Sequence, residues 1–272
     1  MNALRKHYTP ALAGLACLSV LAIAAAAQKP PAQIPPAQAP PAQGRGAQTP
    51  AGQAPAGQAQ GSRTLMSSAP TSIPAPTLKK PVTPQAAPDA EGFIPRWLLL
   101  EPIPALALTQ NAVLEEVHKE YFPDQFTVIP RDGDKVTVGN RELTWHAVDT
   151  KLYNVNLFHF AREHGMSAEN VLFWAVTIVN CLKETPNVRL AIGSNSASVW
   201  WVNGEELIGI YGDRQTVIDD GVSRRITLQQ GPNVIRAAVI NGGGATDFCA
   251  RLLDENDKPL KGYTVSVTAG GR

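Results

Sequence analysis

The sequence predicts a mostly β protein: an antiparallel β-sandwich with one or two short helices, preceded by a disordered segment rich in proline, alanine and glutamine. Three observations carry that prediction. Short apolar runs recur through the C-terminal two thirds, separated by glycine, asparagine and proline turns. Asn203-Gly204 stands between two such runs, and this pair favours the tight hairpin turn whose central residues both need positive φ. Fourteen of the 23 prolines fall in residues 28–90, which contain no aromatic residue, so no core there can offset the entropy cost of ordering.

Residues 1–27 read as a secretory signal. Arg5, Lys6 and His7 open it, an alanine-rich apolar run follows, and Ala25-Ala26-Ala27 before Gln28 fits small-residue cleavage. The apolar run is marginal for spanning a bilayer, so the expectation is cleavage, no membrane span afterwards, and a secreted or periplasmic product, envelope-associated if its tether holds it there. Residues 28–90 form the linker. "PPAQIPPAQAPPAQG" repeats every five residues, a pattern that favours polyproline II and a semi-rigid spacer. Residues 91–272 form the foldable domain and carry all five tryptophans.

Charge divides along the same boundaries. The 91–272 domain has 17 Lys+Arg against 22 Asp+Glu, a net of −5, whereas 28–90 has five basic residues against one acid. An acidic domain without a basic stripe argues against nucleic acid as a partner. Two cysteines remain after signal removal, Cys181 and Cys249. In an oxidising compartment they are a candidate disulfide; the alternative is two buried thiols.

The elements follow in order. "WLLL" (Trp97 to Leu100) is a short strand stopped by Pro102. Thr109 caps a helix whose Val113, Leu114, Val117 and Tyr121 share one face. "DGDKVTVGNRELTWHAV" reads as two strands around Gly139-Asn140, and "NVNLFHFAREHG" as a short helix ended by Gly165. "VLFWAVTIVNCL" is a buried strand, "VRLAI" another, and "SVWWVNGEELIGIY" a hairpin. "RRITL", "NVIRAAVI", "TDFCARLLD" and "GYTVSV" complete the series, with turns at Gly231-Pro232, "NGGG" and "ENDKP". Strands at this spacing mean a sandwich or barrel.

The adjacent Trp200 and Trp201 raise the functional question. Neighbouring side chains on a strand point to opposite faces. One ring enters the core; the other faces outward, or lies beneath a loop or the helix near Val113. An outward Trp201 is the candidate platform for a sugar ring, with Tyr211, Asp213, Arg214 and Asn241 as polar partners from "IYGDRQ" and "NGGG".

Three blocks resemble secreted bacterial β-sandwich modules. "RWLLLEPIP" is similar to their opening W-x-x-L-G-P-F. "VRLAIGSNSASVWWVNGEEL" resembles their block ending V-W-x-N-G, and "LQQGPNVIRAAVINGGGATDFCARLLDENDKPLKGYTV" their closing block. The resemblance spans residues 95–267 and implies a galactose-binding-like jelly roll. Such modules accompany carbohydrate-active enzymes, including proteins labelled acetyl xylan esterase. Glu101 replaces the family's glycine, and Asn195-Ser196 stands where paired acids are common.

Catalytic chemistry is thinly supported. "GSNSAS" lacks the closing glycine of G-x-S-x-G and precedes a strand, not a helix. Ser194 or Ser196 with His146 and Asp149 is the best triad the sequence offers. No cofactor is expected, structural calcium aside: Asp132 and Asp134 flank a glycine as calcium loops do, without the glutamate an EF-hand needs. No Cys/His spacing supports zinc. Arg251, on an apolar strand, calls for an acid partner such as Asp254 or Asp149. The expectation is a noncatalytic module that binds polysaccharide or envelope glycan. The alternatives are an acetyl xylan esterase-type enzyme or its accessory domain, and a structural protein-interaction module.

Overall fold

The fold is that of a computed structural model, which describes residues 77–107, 109–212 and 214–268. The signal and most of the linker lie outside this range. Chain order begins with strands β1 (Leu78–Lys79), β2 (Arg96–Leu100) and β3 (Ile103–Pro104), helix α1 (Gln110–His118), and strands β4 (Lys135–Val138), β5 (Arg141–Thr150) and β6 (Val155–Asn156). Helix α2 (Leu157–Glu163) leads to β7 (Val171–Cys181), β8 (Thr185–Ser194), β9 (Ala197–Val202) and β10 (Glu205–Ile210). The chain continues through β11 (Gly221–Val222), β12 (Ile226–Leu228), β13 (Gly231–Asn241), β14 (Asp247–Leu253) and β15 (Tyr263–Ser266).

The strands form two antiparallel sheets. The ten-stranded sheet runs β1-β5-β2-β7-β13-β9-β10, with β3 and β15 also on β7 and β4 on β5. The five-stranded sheet runs β11-β8-β14-β6, with β12 beside β8. The mostly β, antiparallel class with two short helices is as the sequence predicts. Folded structure also reaches into the stretch read as linker: Leu78 is buried and pairs with Thr150, and Ala86 bridges Val265.

Residue alternation gives the large sheet two buried faces. On β7, Phe173, Ala175 and Val179 join Val188, Leu190, Phe248 and Leu252 of the small sheet in an inner core. Leu172, Trp174 and Val176 point the other way, into an outer core covered by Val113 and Val117 of α1 and by Phe122. A strand apolar on both faces therefore reads as one unbroken hydrophobic run.

Local chemistry fixes the connections. Asn203 and Gly204 adopt φ 52° and 82° between β9 and β10, as the two-residue turn requires. The Thr109 side chain accepts from Ala112 N at the start of α1. Helix α2 starts with the Asn156 side chain accepting from His159 N. It ends at Gly165, φ 69°, where Gly165 N donates to Arg162 O and Met166 N donates to Ala161 O. Those paired bonds are a Schellman motif, and they set His164 at the helix end.

Candidate functional site

Both tryptophans of the pair are buried. Trp200 lies in the inner core, edge-on to Trp97 at 6.0 Å and Phe248 at 5.4 Å, and its Nε1 donates to Ser198 Oγ at 3.0 Å. Trp201 lies in the outer core, 5.6 Å from Trp174 and 5.9 Å from Phe126. His118 at the end of α1 sits edge-on to it at 6.2 Å and is held there by Glu206, 2.6 Å from His118 Nε2. Only 5% of Trp201 is exposed, so the ring offers no open face for a sugar. The cover over the outer core decided this, and of the two arrangements the strand allowed it is the covered one that forms.

Three other candidate residues gather at one end of the large sheet. A cavity of about 380 Å³ opens there, lined among others by Val113, Ser196, Ala197, Gly212, Asn241 and Gly243. Asn241, at the end of β13, is buried; its Nδ2 donates to Ala168 O at 2.6 Å, and its Oδ1 accepts from Ser196 Oγ at 3.0 Å and Gly243 N at 3.3 Å. Asn241 thus shapes the glycine loop from beneath. Tyr211 is half-buried directly before Gly212. Arg214 N donates to Asn195 O at 3.2 Å, next to Ser196, while its guanidinium donates to Tyr211 O at 2.7 Å and to Asp220 at 2.6 Å. Asp213 lies outside the described residues.

The acids flagged for calcium have other tasks. Asp132 accepts from Ala147 N at 2.9 Å and meets Lys80 at 2.7 Å, and Asp134 accepts from Arg131 N at 2.7 Å. Cys181 and Cys249 are free and buried, which corrects the candidate disulfide. Cys181 belongs to the inner core, whereas Cys249 alternates with the inward Phe248 and Ala250 and packs outside the small sheet against Gly193. Burial pushes the Cys249 thiol up to about 12 and raises that of Cys181. Arg251 pairs with Asp219 rather than Asp254 or Asp149. Asp149 instead takes two bonds from Arg96, at 2.7 and 2.9 Å. The triad candidates are likewise engaged separately: Ser196 Oγ donates to Asn241, His146 meets Glu101 and Asp149 holds Arg96.

One constellation escaped the sequence reading. Glu101, His146 and His164 bring one carboxylate oxygen and two imidazole nitrogens within 4.8 Å of one another. Glu101 Oε1 lies 3.0 Å from His146 Nε2, and Oε2 accepts from Thr144 N at 3.0 Å. The two imidazoles stack with centroids 3.9 Å apart, and Phe160 of α2 packs against both. Burial, and next the His146 ring, hold the His164 imidazolium below the usual histidine range. These residues come from three segments with no common spacing. The only signal in the sequence was Glu101 standing where the resembling modules have glycine.

No family model matches the chain, and no curated protein matches it. Among solved structures, it overlaps the PA14 sugar-binding domain from an RTX adhesin, with TM-score 0.35 and 14% identity over 64% of this chain and 99% of that one. The PA14 domain of the MpAFP antifreeze protein gives TM-score 0.36 and 9% identity over 66% of this chain and 94% of that one. A β-glucosidase from Kluyveromyces marxianus gives TM-score 0.32 and 13% identity over 60% of this chain, and the match spans only 16% of that enzyme. At these scores each overlap is partial.

Proposed function

We propose that residues from about 77 onward form a noncatalytic module, of galactose-binding-like jelly-roll type, that binds polysaccharide or envelope glycan in the strand-end groove. In this reading the chain is exported, and the proline-rich segment serves as its tether. The observation that carries the proposal is the groove at Asn241. It has an apolar floor of Val113, Ala197 and Ile240 and a glycine rim at Gly212, Gly242 and Gly243. Ligand pockets combine an apolar surface with a few placed polar groups, and glycine rims leave backbone groups open to a ligand. Tyr211 and Arg214 flank the same rim.

Pull-down on insoluble polysaccharides tests this. The expected result is retention on at least one, lost in Gly243→Phe, because a Cβ at Gly243 meets nothing within 4 Å, which leaves room for a ring at the groove's lining. Arg214→Ala should weaken retention. Binding indifferent to Gly243→Phe, or no retention on any glycan, would sink the proposal. Acetyl release from acetylated xylan should not exceed background, and turnover abolished by Ser196→Ala would restore the esterase alternative.

A further inference from the structure

We propose that Glu101, His146 and His164 form a binding site for a divalent transition-metal ion, with zinc the first candidate. The donor set decides the class of ion. Two imidazoles and one carboxylate suit zinc and its first-row neighbours, whereas calcium takes six to eight oxygen ligands. The geometry is close to what zinc needs. Bonds of about 2.0–2.1 Å to a tetrahedral ion place ligand atoms roughly 3.4 Å apart. Glu101 Oε1 and His146 Nε2 are already 3.0 Å apart, and all three ligand atoms lie within 4.8 Å. His164 has the smallest adjustment to resist, because neither of its ring nitrogens makes a hydrogen bond among the described residues.

The surroundings hold the ligands in place. Glu101 is tied to β5 twice, its N donating to Thr144 O and its Oε2 accepting from Thr144 N. Such bonds orient a ligating carboxylate. The Schellman motif fixes the backbone of His164 at the end of α2, and Phe160 walls one side of both rings. The side chains of Glu101 and His146 keep 12% and 25% of their exposure, so an ion can enter from solvent. Three protein ligands leave a position for water, as in zinc sites that keep an open coordination place. The site shares no residue with the strand-end groove, so its fate and that of the glycan proposal are separable.

The test uses the purified full chain, stripped with a chelator and titrated with zinc and with cobalt(II). The expected result is one equivalent bound at these residues, with cobalt giving the visible bands of a low-coordinate site. His164→Gln and Glu101→Gln should each weaken zinc binding by about 100-fold or more, since even an outer hydrogen-bond partner of a ligand is worth 10–100-fold. His118→Gln and His159→Gln should leave it unchanged. A readout on the unaltered protein guards against variants that fail to fold: bound zinc should protect His146 and His164, but not His159, from diethyl pyrocarbonate, mapped by mass spectrometry. No uptake of either metal, uptake untouched by His164→Gln, or no protection of these two histidines overturns the proposal.

Discussion

The two faces of the large sheet bury comparable sets of aromatic side chains and differ in how they satisfy the polar atoms of those rings. Against the inner core, Trp200 Nε1 donates to Ser198 and Trp97 Nε1 donates to Ile94 O. In the outer core, Trp145 Nε1, Trp174 Nε1 and Tyr121 Oη have no partner among the described residues. Arg236 makes the contrast sharper. It stands opposite Trp201 and Val176 in the register, 3% exposed, with one bond to Val128 O and Nη1 unpartnered among the described residues. Burial pulls its guanidinium down to about 10, so it remains charged at neutral pH. A sheet facing a sheet has regular strands on both sides, whereas a sheet facing a nine-residue helix and a long connection does not. Buried donors are dearest where they go unmatched.

The comparison can be broken at several points, beginning with the largest expected effect. Trp200→Ala should cost about 3–5 kcal/mol in guanidinium unfolding, because a close-packed core cannot collapse around so large a void. Arg96→Ala should cost a similar amount, about 3–5 kcal/mol, by stranding Asp149 without its buried partner; its carboxylate has both Arg96 bonds to lose. Arg236→Met should do the opposite and be neutral or stabilising by about 1 kcal/mol, since it removes a buried charge that no acid offsets among the described residues. A loss above that of Arg96→Ala would show that the outer core depends on Arg236 as much as the sheet does on its ion pair. Thr109→Ala should cost about 1 kcal/mol through the lost cap of α1, and less if the outer core alone keeps the helix in place. Finally, alkylation mapped at Cys181 and Cys249 should be slow at pH 8 in the native protein and fast after unfolding. Burial disfavours both thiolates, so rapid native labelling of Cys181 would mean that the inner core opens, and of Cys249 that the covering over the small sheet at Gly193 and Val217 does.

Much of the fold was legible because strands announce themselves locally. The run from Val171 to Cys181, the hairpin at Asn203-Gly204 and the helix end at Gly165 each depend on neighbours a few residues away. The short strands β1, β3, β6 and β11 were not legible, since two residues carry no periodicity and pair only where a longer strand offers an edge. Of the site, the sequence reached Asn241, Tyr211 and Arg214, because loops joining neighbouring strands meet at the same end of a sheet. It placed Trp201 in the same group, and there the cover from α1 was invisible. It also gave Arg251 the wrong acid: Asp219 lies 32 residues earlier in the chain.

By itself, then, the sequence determined the antiparallel β class, the acidic domain after a proline-rich segment, and the opposed directions of Trp200 and Trp201, all of which rest on composition or on the two-residue repeat of a strand. Only the tertiary structure decided that Trp201 is roofed over, that the two cysteines stay apart, and that Glu101 meets His146 and His164. Those outcomes depend on which segments fold back over which face, and side chains 45 or more residues apart share no local pattern that could record it.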